Sequence, residues 1–478
     1  MSLPSRRLPI VAVLLTALLI SCDLLGGGAS QAVRIESFTA APDVVASGDS
    51  VTLSWSVTST ASFTLSLLPM GTDVTGQTSA TVSPTRTTTY ELVAAHDSGE
   101  VRAEVTVSVL QPGTGALRVE IPGLPAGSDA QVAVSDHAGV TRWVRSADTL
   151  VDLPVGTYTV AAAGVDASGA VYLPDPFLQL VTLADRAVTE GVVGYAAQTT
   201  PLFAVPPDVG SCDEGELAAQ AKEWALAEVN FLRVLAGLPP VVYDDAAQTE
   251  VQQASLMFAA NAQTSHSPPP EWHCFSAAGA DGAASSNNGI TARNAPIDAV
   301  PEDFIALWAD DRDVPGLGHR RWLLDPFLAR TAFGLVEGTP RTGGFSHAVG
   351  AALAVTGGGD ADIGGLELPF VAYPRGDFPT ELFSNDGFLS FSVLADPSAR
   401  FGNDDEVDYS AATVRVRDAA GTNLSVSGVS TDHSAQGLPN QLQWKVTGLQ
   451  DGEEYTVEID GVVVNGASET FRYPVRLR

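Results

Sequence analysis

EGELAAQAKEWALAEVNFLRVL, residues 214–235, opens the only strongly helical part of a chain that otherwise reads as strands, and so decides the fold class. It contains no proline. Leu217, Ala221, Trp224, Ala225 and Leu232 recur at spacings compatible with one apolar face of a helix. Gly237 followed by Pro239-Pro240 stops it. A second helix is expected over residues 245–262, with Val251, Ala254, Ser255 and Phe258 on one side. Pro301 suits the first turn of a third, which carries Phe304, Leu307 and Trp308. Strand-like segments follow at 331–336 and 348–355. Helices followed by strands predict an α+β domain, placed at residues 201–358.

Both flanks return to period two. Val51, Leu53, Trp55 and Val57 alternate with Thr52, Ser54 and Ser56, a strand with one buried face entered through the turn Ser47-Gly48-Asp49. With further β-branched strands at 87–90 and 101–109, residues 33–111 resemble a bacterial immunoglobulin-like domain. The break Gln111-Pro112-Gly113 opens a second β-sandwich, residues 112–200, in which Leu117, Val119 and Ile121 alternate. Gly357-Gly358-Gly359-Asp360 reads as a hinge into a C-terminal β-sandwich, residues 359–478, patterned by Leu442, Trp444, Tyr455, Val457 and Ile459. The expected architecture is multidomain: N-terminal all-β sandwiches, a central α+β domain and a C-terminal β-sandwich. Neither N-terminal unit gathers catalytic residue types, so both read as spacer or adhesion modules.

The first residues carry an address. Arg6 and Arg7 precede an apolar run over 8–20, too short to span a bilayer and flanked like a secretory signal. Leu19-Ile20-Ser21-Cys22 closes it and resembles the bacterial lipoprotein signal. That resemblance implies a signal peptide at 1–21, lipid on Cys22, a flexible linker over 22–32 containing Gly26-Gly27-Gly28, and a protein held on the cell envelope facing out of the cytoplasm. A formal net charge of −31 repels phosphate backbones and anionic head groups, which argues against nucleic acid and leaves membrane attachment to the lipid. With Cys22 set aside, Cys212 and Cys274 remain as a pair in an oxidising compartment, where a disulfide is the default.

Chemistry-bearing residues cluster in the helical domain. Asn230-Phe231-Leu232-Arg233 leads into Ala236-Gly237-Leu238-Pro239, Ser265-His266 follows the second helix, and Gly318-His319-Arg320-Arg321-Trp322-Leu323-Leu324-Asp325-Pro326 comes later. Together with Trp272-His273-Cys274 and Ser286-Asn287, these resemble, in order and spacing, the CAP superfamily, the SCP-like extracellular domain. The resemblance implies an α-β-α sandwich whose cleft holds two histidines and two acidic residues. His266 and His319 match the histidines. Ser286 stands before Asn287 where the family commonly has Glu, and the second acid falls to Asp310 or Asp311. A full set of this kind suits a divalent metal such as zinc; His266 and His319 with one Asp would make a weaker site.

Duller explanations stand beside these. His266 near a helix end suits a structural hydrogen bond, and Asn287-Asn288-Gly289 suits a turn. Gly318 is read as permitting close backbone approach to His319, His347 as able to enter the cleft, and Tyr373-Pro374-Arg375-Gly376 as lining its edge. There is no Gly-x-Ser-x-Gly elbow, phosphate loop or His-Glu-x-x-His helix, so covalent hydrolysis has little support. The expected function is a lipid-anchored envelope protein whose CAP-like cleft binds a small apolar molecule, a peptide or cell-wall material. A metal-assisted hydrolase using His266 and His319, and a purely structural or adhesive protein, are the alternatives.

Overall fold

Period-two alternation in the first unit becomes two packed sheets. Val51–Ser59 pairs with Val33–Ala41 and Ser79–Val82, while Gly99–Leu110, Thr88–His96 and Phe63–Leu68 build the facing sheet. Leu53, Trp55, Leu92 and Val107 meet between them, and the Trp55 indole donates to Gln77 O at 2.9 Å, which satisfies its one polar atom. This is a computed structural model, and it describes residues 33–312, 314–366 and 368–478. The signal peptide, Cys22 and the linker over 22–32 lie outside the described residues.

The second β unit has a four-stranded sheet (Thr141–Val144, Val132–Ser135, Gly156–Ala162, Leu178–Leu183) facing a three-stranded one (Asp148–Pro154, Thr114–Glu120, Val188–Val192). It is not a detached spacer. Ala133, Ala161 and Ala163 belong to the same apolar core as Val229 and Leu232 of helix α1, Ala219–Leu235. Glu228 of α1 accepts a hydrogen bond from Gly164 N at 2.7 Å across that junction.

In the middle of the chain, Ser286–Arg293, His347–Ala354 and Phe333–Gly338 form an antiparallel sheet in the order given. Helices α2 (Gln248–Asn261) and α3 (Ala277–Ala284) cover one face, where Ala352 and Ala354 meet Val251, Phe258 and Ala283. Helix α1 and α4 (Pro301–Asp310) cover the other, where Ala351 and Leu353 meet Phe304 and Trp308. The result is the three-layer α-β-α arrangement, and Pro301 takes the first position of α4 as its fixed φ favours.

Three local expectations change. Helix α1 starts at Ala219 rather than at 214, because Gly215 turns the chain at φ +64 and Glu216–Leu217 pairs with Phe203–Val205 as a short ladder. Asn287-Asn288-Gly289 is not a turn but part of the strand Ser286–Arg293. Gly289 serves by lacking a side chain: a Cβ there would lie 2.6 Å from the Phe304 ring. Helices α3 and α5 (Gly318–Leu323) carry no periodic apolar signal; α3 is set by the Ser276 hydroxyl, which accepts from Gly279 N at 3.0 Å.

The C-terminal unit is again two sheets. Phe370–Tyr373, Leu389–Val393, Gln441–Thr447 and Ser425–Asp432 make one, and Ala467–Leu477, Glu454–Val464 and Thr413–Asp418 dominate the other. Phe391 stands 5.2 Å from Phe370 and 5.1 Å from Phe471, ring centre to ring centre, at the core between them. This core is continuous with that of α1 and α4, so the helical domain is clasped between the second and the last β units.

Candidate functional site

Helix α4 ends at Asp311, whose left-handed φ of 45 turns the chain out of the helix. Its carboxylate then serves the start of α5. It accepts from His319 N at 2.9 Å, from Arg320 N at 3.2 Å and from His319 Nδ1 at 2.8 Å. An anion at a helix N-terminus fills donors that the helix leaves open. The Asp311 side chain is 0% exposed and that of His319 is 16% exposed. A carboxylate accepts only, so Nδ1 carries a proton toward it. The Trp308 ring lies 6.5 Å from the imidazole, centre to centre.

The strand Ser286–Arg293 connects this histidine to the other one. It is an edge strand, and successive side chains point to opposite faces. Asn287, opposite Leu353, faces α1 and α4, and its Nδ2 donates to His319 O at 2.9 Å. Asn288, opposite Ala352, faces α2 and α3, and its Nδ2 donates to Ala283 O at 2.9 Å. His266 Nδ1 stands 3.1 Å from that same Asn288 nitrogen and 2.9 Å from Ala283 O. Protein groups therefore engage His266 Nδ1 in either tautomer. Ser286 shares the Asn288 face, and both Ser286 Oγ and Asn288 Oδ1 are buried without a partner among the described residues.

The remaining expected members sort clearly. Asp311, not Asp310, joins His319. Asp310 turns to Arg312 at 2.6 Å and toward Ser384 Oγ at 3.5 Å. His347 pairs with Arg293 while Ser286 pairs with Ala354, so it sits at the far end of the sheet, seven residues or roughly 23 Å away. Its Nδ1 meets Ser346 Oγ at 2.8 Å. A Cβ on Gly318 would meet nothing within 4 Å, so close approach is not the reason for that glycine. Of Tyr373-Pro374-Arg375-Gly376, Tyr373 packs against Arg320, the residue after His319, while Arg375 lies over the Phe370 ring and a Cβ on Gly376 would stand 3.6 Å from Thr141 Oγ1 of the second β unit. Cys212 and Cys274 form the expected disulfide.

The arginines of the same segment hold α5 in place. Arg320 is 0% exposed. Its guanidinium donates to Ala309 O at 2.6 Å and Phe388 O at 2.6 Å, and lies 4.4 Å from the centre of the Tyr373 ring. Arg321 pairs with Asp432 at 2.8 Å and donates to Leu438 O at 2.9 Å. From α1, buried Arg233 donates to Leu323 O and Asp325 O, both at 2.9 Å, and burial pushes its pKa down to about 10. It stays charged at neutral pH. Asn230 bonds Val241 in both directions, at 3.0 Å and 2.7 Å, fixing the turn after α1. The placement of His319 thus depends on the C-terminal unit. Sequence reasoning passed over Asn288, because two asparagines before a glycine read more readily as a turn than as a strand.

A metal fits this donor set poorly. Zinc takes three or four protein nitrogen, sulfur or carboxylate ligands. Among the described residues no three His, Cys, Asp or Glu side chains gather to hold an ion. A serine hydroxyl stands in for a carboxylate at 286.

Among solved structures, the chain is similar to the TIE protein of Bacillus anthracis at 14% identity, over 35% of this chain and 41% of that one, with a TM-score of 0.16. It is similar to the BSP domain of a biofilm associated protein at 13% identity, over 35% and 30%, with a TM-score of 0.14. The chain spans less than half the length of either. No curated protein matches. Residues 226–350 match the CAP family, the cysteine-rich secretory protein family, and the middle of this chain is therefore a CAP domain.

Proposed function

We propose that this is a cell-envelope binding protein, anchored by lipid on Cys22, whose CAP domain takes a polar ligand beside the edge strand Ser286–Arg293. The ligand class is a peptide or a cell-wall component. CAP domains are typically extracellular, and the disulfide suits an oxidising compartment. The observation that carries the reading is the pair of buried oxygens, Ser286 Oγ and Asn288 Oδ1, on the strand face where Asn288 meets His266, with no partner among the described residues. Buried polar atoms left unmade cost about 1–3 kcal/mol each, so a ligand that supplies donors recovers that cost and an apolar one does not. This favours peptide or sugar over a small apolar molecule.

The test is calorimetric titration of the intact protein with a purified disaccharide–tetrapeptide cell-wall fragment and with the tetrapeptide alone. Binding that weakens at least tenfold in both His266→Ala and Ser286→Ala, with unchanged circular dichroism, supports the reading. Binding indifferent to both substitutions, or no binding of either probe, defeats it. A structural role is the second reading, favoured by the buried Arg320 and Arg321, which tie the CAP domain to the C-terminal unit. Failure of both probes would leave that one standing.

A further inference from the structure

The second β unit is open along one side. The strands Thr141–Val144 and Asp148–Pro154 are the outer strands of its two facing sheets. Between them lies a cavity of about 290 Å³, with Leu150, Leu153 and Tyr158 in its lining and Asp136, Arg142 and Asp152 among its polar groups. A second concavity of about 380 Å³ shares Thr149 and Val151 with the first and continues past Asp148 to Asp43, Thr106 and Ser108 of the first β unit. The two make one groove along Asp148–Pro154, a size range in which ligand sites fall.

Three features of that groove point the same way. Pairing along Asp148–Pro154 is interrupted between Leu150 and Leu153, so Val151 and Asp152 stand outside the ladder. Val151 and Val140 are 37% and 44% exposed, apolar footholds on a surface that is otherwise acidic. Four carboxylates (Asp43, Asp136, Asp148, Asp152) line the groove against two guanidiniums, Arg142 in its lining and Arg118 beside it, and of the four only Asp43 has an ion-pair partner among the described residues, Arg118 at 2.7 Å. We propose that this groove binds an extended cationic peptide, laid along the free edge of Asp148–Pro154 with apolar side chains on the exposed valines and basic ones on the aspartates. Main-chain bonds at a sheet edge give such a ligand its affinity, and alternate side chains give it specificity. The surplus carboxylates supply the charge complementarity.

The test uses the full chain and a labelled eight-residue peptide alternating lysine and valine, read by fluorescence anisotropy. Asp148→Asn/Asp152→Asn is expected to weaken binding about tenfold, and Val151→Lys to weaken it independently. A peptide with glutamate in place of lysine is expected not to bind. Because the whole protein is anionic, Glu453→Gln/Glu469→Gln, on the exposed surface of the C-terminal unit, removes equal charge elsewhere and should change little. Hydrogen exchange should slow over residues 148–154 when peptide is added. Equal weakening by the two charge-removing pairs, wild-type affinity in Val151→Lys, or protection that appears only away from this strand would overturn the proposal.

Discussion

Glu228 offers the sharpest test of how the CAP domain is joined to the second β unit. Its side chain is buried at that junction, where it accepts from Gly164 N at 2.7 Å and Trp224 Nε1 at 3.1 Å. Burial, with Asp166 adding a like charge, pushes its pKa from 4.5 up to about 8. The two hydrogen bonds pull the other way and lose. A raised folded-state pKa contributes stability that is complete below about 4.5 and is lost as pH climbs to about 8. Each pH step of one between those two values is worth about 1.4 kcal/mol, so the change across the window has a ceiling of about 5 kcal/mol. Glu228→Gln keeps the acceptor oxygen and never ionises. It should match wild type near pH 4.5 and exceed it increasingly toward pH 8. Thermal unfolding at half-unit pH steps reads the global effect, and hydrogen-exchange protection of Gly164 reads the junction itself. Other acids, buried Asp325 and exposed Glu337 among them, also have raised pKa values, but they cancel in the comparison with the variant. Parallel pH profiles for the two proteins would refute the reasoning.

Arg320→Met should cost about 3–5 kcal/mol by leaving buried carbonyls unpaired, and Arg320→Lys should not restore it, since one ammonium cannot serve Ala309, Phe388 and Asp310 together; urea unfolding measures both. Removing the disulfide, which closes a sequence separation of 62 residues, should lower stability by about 4 kcal/mol in Cys212→Ser/Cys274→Ser, seen as a lower Tm. Gly289→Ala places a methyl 2.6 Å from the Phe304 ring and should cost about 1–3 kcal/mol by overpacking, again read by urea. Asp311→Ala removes the acceptor for His319 N, Arg320 N and His319 Nδ1, and should cost about 1–2 kcal/mol while moving the His319 ring resonances in an NMR spectrum.

Much of the architecture was legible in the chain itself. Period-two alternation such as Val51, Leu53 and Trp55 reports a buried face wherever it occurs, because a strand has only two sides. The proline-free run over 219–235, stopped by Gly237 and Pro239, has no other stable reading than a helix. Two cysteines left in an oxidising compartment had one partner each, and they are joined. The motif around His319 pointed to the CAP domain through residue types at fixed spacing. Other features depend on atoms far apart in sequence. Asp311 rather than Asp310 meets His319 because α4 ends in a left-handed residue that swings one carboxylate under α5. Asn287 and Asn288 serve different histidines because they lie on opposite faces of one edge strand, a fact invisible while the pair reads as a turn. The acceptors that Arg320 and Arg321 find in the C-terminal unit, Phe388 O and Leu438 O, lie 68 and 117 residues further along the chain, and local pattern has no way to register them. Sequence alone therefore determined the elements that carry a periodic apolar face, since that follows from nearest neighbours and periodicity, but not α3, α5 or the strand Ser286–Arg293. Tertiary structure decided which side chains share the site, since that depends on how the layers and the β units that clasp them pack.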